Sequence, residues 1–367
     1  MTLGFNQARY KSLIEKFYIS NHYLKVCPVV FIIQSIQFQP YRLAFRQPFP
    51  TALGRLDYRE GFVIEIRDRS SAQEIPYIGL GEASPLVGFG MESLAEAKKI
   101  LLIAQRSLIN REINNIQDIE NLLAGYDHTP AAKHGLELAL LNLLAQRQGH
   151  TLAQLLIHYF GGAIRNQVSI NAVIGAITAD KAAIQAKNYL AQGYRCLKIK
   201  VGTNDFASDW KRVEAVRSQV GENIKIRIDA NQGWSVEQAI ANLKKLEPCQ
   251  IEYVEQPVLA SDLIGMATVR RSQSIPVAAD ESVNSLVQLQ QVIEARAADI
   301  IILKPMAMGG VITAYRAAMV AFNAGLDVVI TTTIDGAIAR QATFDLAAVL
   351  PIKRACGLAT GHLLIED

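Results

Sequence analysis

The chain has 367 residues, half of them hydrophobic, which is enough for a large core and for two domains or one barrel with an addition. A formal net charge of only +3 supplies no basic field and argues against a nucleic-acid partner. The four cysteines, Cys27, Cys196, Cys249 and Cys356, show no CxxC or Cys/His spacing; this removes zinc knuckles and disulfide frameworks and fits a reducing cytoplasm.

Residues 1–28 read as an N-terminal extension or an upstream start, with helical spacing around Ala8–Tyr18. Lys11, Glu15, Lys16 and Lys25 break up the apolar residues, and the run Val26–Ile33 is far too short to span a bilayer. No small-residue cleavage site follows it, which argues against a signal peptide. An α+β region over 29–130 comes next. Val29–Gln39, Tyr41–Phe45, Gly61–Asp68 and Ile78–Ala83 carry β-branched and aromatic residues between turn signals and predict strands. Ser93–Leu108 and Thr129–Gln148 predict helices, the second apolar over most of its circumference and therefore buried.

From about residue 131 to the end the chain predicts a barrel. Short apolar runs alternate with helical stretches: Val168–Ile174, Cys196–Val201, Ile224–Ile228, Ile251–Val254, Val277–Ala279, Ile300–Leu303 and Val328–Thr331 as strands, with Asp205–Val220, Ser235–Leu246, Leu286–Ala295 and Ile312–Ala324 among the helices. Such alternation implies a parallel sheet with helical crossovers. Seven units and a last strand near Ile352–Gly357 favour closure, an α/β fold of (β/α)7β TIM-barrel type.

Polar residues interrupt the apolar runs in phase with the repeat. Lys198 and Lys200 lie on the second run; Asp229, Glu255, Asp280 and Lys304 end the third to sixth, at intervals of 26, 25 and 24 residues. One strand–helix unit per step places them at the same level, on the rim where barrel active sites lie. Three carboxylates on adjacent strands repel one another unless a proton or cation neutralises them, and an all-oxygen set favours a hard cation, Mg²⁺ with Mn²⁺ as an alternative. Alternation puts Lys198 and Lys200 on one face, the barrel interior. A lysine there, beside a divalent cation, is expected to have a lowered pKa and to act as a base. The expected partner is a small-molecule carboxylate whose α-carbon the metal acidifies.

Singly, each residue has a plainer reading. Asp229 could cap a helix, Glu255 before Pro257 could serve a turn, and Lys304-Pro305 could be an exposed strand end. Their joint phase is what points to a site. Asn231 and Glu281 either support the metal from behind or cap the following helices. The six histidines form no ligand spacing, and Gly309-Gly310 and Gly88-Phe89-Gly90 read as turns rather than phosphate loops.

The set Lys198-Ile199-Lys200, Asp229-Ala230-Asn231, Glu255-Gln256-Pro257, Asp280-Glu281-Ser282 and Lys304-Pro305 resembles the muconate-lactonizing subgroup of the enolase superfamily, over nearly the whole chain from about residue 30. Use of a Lys or His base with Mg²⁺ is a known pattern of that superfamily. The resemblance implies a capping domain before the barrel, with part of the C-terminal tail, and Asp229, Glu255 and Asp280 as metal ligands. It makes Lys200 the base and Lys304 the opposing lysine, with Lys198 beside them.

Within the subgroup, Phe45–Phe49 with Gly54-Arg55, Arg59-Glu60-Gly61, Gly81–Pro85 and Thr331–Ala337 are most similar to the o-succinylbenzoate synthase family; Arg227 also fits. That family dehydrates a succinyl-bearing cyclohexadiene carboxylate on the menaquinone or phylloquinone pathway. Arg227, Thr332 and Thr333 are then expected behind the metal or against substrate, and the loops Phe49–Leu56 and Leu86–Met91 near the succinyl tail. Dipeptide epimerases carry an Asp-x-Asp in the region of the seventh and eighth strands, where this chain has only Asp335 followed by Gly336 and Ala337. Muconate cycloisomerase and N-acylamino acid racemase share the metal and lysine set and stay open as alternatives. So does a non-enzymatic barrel scaffold, which the complete site set disfavours.

Overall fold

A computed structural model describes residues 30–51, 54–69 and 76–365; the extension, with the helical tract expected at Ala8–Tyr18, lies outside them. The first strand, β1 (Phe31–Thr51), runs antiparallel to β2 (Gly54–Asp68), which pairs with β3 (Ile78–Ala83); β4 (Glu112–Ile113) lies on the other edge of β1. The two strands expected over 29–45 are thus one. Pro40 sits opposite Phe62 in an unbroken stretch of ladder, and the two irregularities fall on either side, between Ile33 and Ser35 and between Ala44 and Phe49. Among the described residues β4 reaches β1 only at Phe31 and Ile32, so Pro40 has a free edge for its missing N–H.

Helix α1 (Leu94–Ser107) starts where predicted because Ser93 and Glu96 form a reciprocal capping box. After α2 (Ile116–Leu123), helix α3 (Pro130–Arg147) crosses the sheet, buried on almost every side. A Cβ at Gly81 would stand 1.9 Å from the Gly135 carbonyl oxygen, so only glycine lets α3 lie against β3. A buried Arg147–Asp68 ion pair fastens α3 to β2.

Beyond α4 (Leu152–Phe160) come the barrel units. The strands are β5 (Ala172–Ile174), β6 (Cys196–Lys200), β7 (Lys225–Asp229), β8 (Ile251–Glu255), β9 (Val277–Ala279), β10 (Ile300–Leu303) and β11 (Asp327–Ile330). They alternate with α5 (Ala179–Ala191), α6 (Phe206–Val220), α7 (Val236–Leu246), α8 (Leu263–Arg271), α9 (Leu286–Glu294), α10 (Val311–Asn323) and α11 (Ala337–Val349). The sheet is parallel in sequential order. Thr331 bridges Gly357 and Ile170 bridges Cys356, so the segment 356–357 joins the last strand to the first. The α/β barrel with an N-terminal antiparallel capping sheet is the fold expected.

Tyr253, Ala278, Ile300, Ile302 and Val329 fill the barrel, while Ile199, Ile226, Ile228 and Val254 pack outward under the helices. One irregularity matters. Ile226 pairs with Ile251 and Ile228 with Val254, so β8 holds one extra residue, and both Glu252 and Tyr253 lie against Arg227 of β7.

The capping domain meets the barrel through buried carboxylates at helix N-termini, where unpaired N–H groups need acceptors. Glu82 of β3 accepts from Gly336 N (2.7 Å) and Ala339 N (3.1 Å) at the start of α11. Glu137 of α3 accepts from Ile312 N (3.1 Å) at the start of α10. Phe45 of β1 bridges Leu364 in the C-terminal tail. Among the described residues no helix is long and apolar enough to cross a membrane.

Candidate active site

Parallel register sets Lys200 opposite Asp229 and Asp229 opposite Glu255, so these three are level. Glu255 is opposite Ala278, which is opposite Ile300; Asp280 and Lys304 therefore sit two and four residues further along the ladder. Sequence intervals alone placed all of them at one level. Strands in a closed barrel are tilted, so stepping along the ladder keeps side chains on one rim. The side chains do meet there: Lys304 pairs with Asp280.

The rim is a buried alternation of acids and lysines. Lys198 Nζ lies 2.8 Å from Glu255 Oε1 and 3.1 Å from Asp229 Oδ2. Lys200 Nζ donates to Asp229 Oδ2 at 2.7 Å and to Asn231 Oδ1 at 2.6 Å. Asn231 Nδ2 donates to Glu281 Oε1 at 3.1 Å, and Glu281 Oε2 is buried without a partner. The Phe89 ring covers Lys304 Nζ at 4.4 Å. Asp229, Glu255 and Asp280 are only 1, 2 and 3 % exposed.

Such crowding has electrostatic consequences. Burial, with the neighbouring charges of Asp229 and Asp280, pushes the Glu255 carboxyl up to about 8. Burial and Asp280 push Glu281 up to about 6. Burial also opposes the charge of Asp229, but Lys200 and Lys198 outweigh it and hold that carboxyl far below the usual range. Lys198 is governed by the same acids. Burial does act downward, but Glu255 and Asp229 hold the ammonium well above its ordinary value.

Backbone strain collects on the same rim. Asn231 (φ 42°), Gln232 (φ 67°), Gln256 (φ 37°) and Ile334 (φ 60°) take left-handed conformations at the ends of β7, β8 and β11. These are sites where surrounding structure must hold the chain. Gln256, quoted in the sequence motif without a role, is fully buried and ties strand ends together. Its Oε1 accepts from Asp280 N (3.0 Å) and its Nε2 donates to Val258 O (3.0 Å).

The structure therefore brings together Lys198, Lys200, Asp229, Asn231, Glu255, Asp280, Glu281 and Lys304. It does not bring Arg227, Thr332 or Thr333 to them as contacts. Arg227 lies two residues below Asp229, fully buried, bonded to Glu252 (2.6 Å) and Ala355 O (2.7 Å) and stacked on Tyr253. Thr333 Oγ1 bonds Asp335, and Thr332 Oγ1 lies 2.8 Å from Thr360 Oγ1. Of the expected loop Phe49–Leu56, Phe49–Thr51 pair with Gly54–Leu56 at the end of the β1–β2 ladder, residues 52–53 and the side chains at 48–51 and 54 lying outside the described set; Leu86–Met91 is the loop that delivers Phe89.

Among the described residues, no three His, Cys, Asp or Glu side chains converge on one point as a finished metal cage. The carboxylates are turned to lysines instead. By type and placement the set still fits a hard cation: buried oxygens on adjacent strands, one carboxyl forced up by its neighbours, and one carboxylate oxygen left unpartnered.

A parallel barrel with acids and lysines on its C-terminal rim, under an antiparallel capping domain, defines a class of protein. Residues 181–367 match the family described as "Enolase C-terminal domain-like". The chain belongs to the enolase superfamily. It is 33% identical over 311 residues to the L-Ala-D/L-Glu epimerase of Bacillus subtilis, covering 82% of this chain and 81% of that one. It is 38% identical over 207 residues to the o-succinylbenzoate synthase of Thermobifida fusca, covering 56% of this chain and 63% of that one. Among solved structures it is similar to the dipeptide epimerase of Enterococcus faecalis complexed with Mg and the dipeptide L-Leu-L-Tyr. There the TM-score is 0.81 at 29% identity, over 90% of this chain and 92% of that one.

Proposed function

We propose that the chain is an o-succinylbenzoate synthase, a hydro-lyase that dehydrates 2-succinyl-6-hydroxy-2,4-cyclohexadiene-1-carboxylate in menaquinone or phylloquinone biosynthesis. The observation that carries this choice within the superfamily is the rim loop after β11. A dipeptide presents a free ammonium that needs a carboxylate. The acid of this loop, Asp335, is 1% exposed and spends Oδ1 on Thr333 N and Oγ1. The acid of the loop is thus buried and turned to its own loop, which supports a substrate without an ammonium. The similarity to the Thermobifida enzyme, at higher identity than to the Bacillus epimerase though over a shorter span, supports the same choice.

Asp229, Glu255 and Asp280 would hold Mg²⁺, as the fit of the donor set and the Mg complex of the Enterococcus relative support. Bound there, the ion would polarise a substrate carboxylate and acidify the adjacent C–H. Lys200 is the base. Its Nζ takes the α-proton as that C–H bond breaks, then returns it to the departing hydroxyl as the C–O bond breaks, so water leaves and the ring becomes aromatic. One acid/base group suffices because both leave from one face. Lys304, from the opposite side of the rim, stabilises the developing negative charge as a fixed cation. Lys198 neutralises Glu255 and Asp229 from below.

A second reading, epimerisation of a dipeptide or N-acylamino acid, is favoured by the longer span of similarity to the Bacillus enzyme and by lysines on two sides of the rim. The deciding experiment is ultraviolet-monitored turnover of the succinyl substrate, with and without EDTA, beside α-proton exchange of dipeptides and N-acylamino acids in D₂O. Good turnover of the latter with none of the former rejects the synthase.

A further inference from the structure

Ile334 is the least expected residue on the rim. A β-branched side chain at φ 60° is sterically disfavoured, and Ile334 is buried in the main core, so it cannot relax toward solvent. Something must hold it. Arg59 of β2, 2% exposed, donates from Nε to Ile334 O at 3.1 Å. Its other donors go to Pro85 O (2.8 Å), Glu60 O (3.4 Å), Ser84 O and Ser84 Oγ (3.3 Å). A guanidinium has five N–H groups, and all five have oxygen acceptors here. No donor is left for a ligand, which separates Arg59 from a substrate-binding arginine.

Apart from Glu60 O on β2 itself, the acceptors lie on two loops that both face the site. Ser84 and Pro85 open the loop that puts Phe89 over Lys304, and Ser84 Oγ also lies 3.2 Å from Met306 Sδ, two residues after Lys304. Ile334 belongs to the rim loop, whose far end is held by Glu82 through Gly336 N. One buried capping-domain residue therefore fixes both walls against each other.

We propose that Arg59 is a positioning residue: it holds the Ile334 peptide in its left-handed conformation and locks the Phe89 loop and the rim loop into one wall of the site. The wall determines how the part of the substrate remote from the reacting carbon is received. Only that last step rests on the synthase reading above.

Hydrogen exchange of the full chain, read by mass spectrometry, tests the clamp without any substrate. In Arg59→Met, peptides covering 84–90 and 331–336 should exchange roughly tenfold faster or more, as expected when one strained residue loses its restraint, while peptides over β6 to β8 stay unchanged. Adding Ile334→Gly should restore slow exchange at 331–336, because glycine takes positive φ without the penalty. If Arg59→Met does not fold, Arg59→Lys, which keeps the buried charge but not the fork, carries the same comparison. In turnover, Arg59→Met should raise KM more than it lowers kcat, and Ile334→Gly should recover part of KM. Unchanged exchange at 331–336, or no slowing on adding Ile334→Gly, overturns the clamp. Intact exchange effects with no turnover of the succinyl substrate overturn the synthase reading and leave the clamp standing.

Discussion

Metal binding at this rim should release a proton, and the source is Glu255. Its carboxyl stands at about 8, against an ordinary 4.5, because it is buried between Asp229 and Asp280. A raised acid penalises the ionised form in the fold. Stability of the metal-free protein is therefore unaffected below the unfolded pKa, falls as pH rises from about 4.5 to about 8, and levels beyond; the full span corresponds to about 5 kcal/mol. A divalent cation on the three carboxylates removes that penalty by binding the ionised form. Because the ionised form is the one that would bind, Mg²⁺ should displace a proton below about pH 8, and affinity should rise by up to about tenfold per pH unit before flattening above it. Calorimetric titration of EDTA-stripped protein with MgCl₂, in two buffers of different ionisation enthalpy, reads both quantities. In Glu255→Gln the residual binding should be weak and independent of pH. Wild-type affinity flat across this range, with no proton released near neutrality, would refute the reasoning.

The lysines should separate by substitution. Lys200→Ala and Lys200→Arg should both abolish turnover while Mg²⁺ still binds, since a guanidinium does not deprotonate near neutral pH; near-normal rates in Lys200→Arg would remove it as the base. Lys304→Ala should lose about 2.7–4 kcal/mol of transition-state stabilisation, with Lys304→Arg retaining more, as measured in kcat. Away from the site, burial pushes the Glu137 carboxyl up to about 7 while Ile312 N donates to it. Its folded pKa is raised, so stability should be lost as pH climbs from about 4.5 to about 7, by about 3 kcal/mol. Glu137→Gln should remove that slope in urea unfolding; parallel slopes in the two proteins would show that the carboxyl is not its cause.

The sequence carried the barrel because each strand is a short apolar run, and carried the acids and lysines because a polar residue closing such a run has few reasons to be there. Local signals could not carry the rest. Arg227, expected from the resemblance behind the metal or against substrate, has partners no local signal announces, because an extra residue in β8 turns both Glu252 and Tyr253 on to it. Thr332 and Thr333, expected behind the metal or against substrate, have hydroxyl partners in Thr360 and Asp335 that no local signal announces. The long β1 was hidden because Pro40 reads as a break unless one knows that its edge is free. Least legible was the Arg59–Ile334 contact. It spans 275 residues of chain, and isoleucine is not a residue that announces positive φ.

Charge balance supports the proposed choice of Lys200 as the base. Four carboxylates (Asp229, Glu255, Asp280 and Glu281) meet three ammonium groups (Lys198, Lys200 and Lys304), leaving one negative charge in excess when all are ionised. A raised carboxyl such as Glu255 absorbs that excess as a proton. A divalent cation arriving with the one substrate carboxylate that it binds would add one net positive charge and neutralise the ionised set. The three lysines do not respond alike. Lys198 touches two carboxylates and Lys304 is buried beneath Phe89, with side-chain exposures of 14 and 8 %. Lys200, at 29 %, has one carboxylate partner, Asp229; its other acceptor is the neutral amide of Asn231. A cation that claimed Asp229 would therefore take from Lys200 its one carboxylate partner, at the most exposed of the three lysines. The same binding event that acidifies the substrate should thus also free the amine that receives the proton.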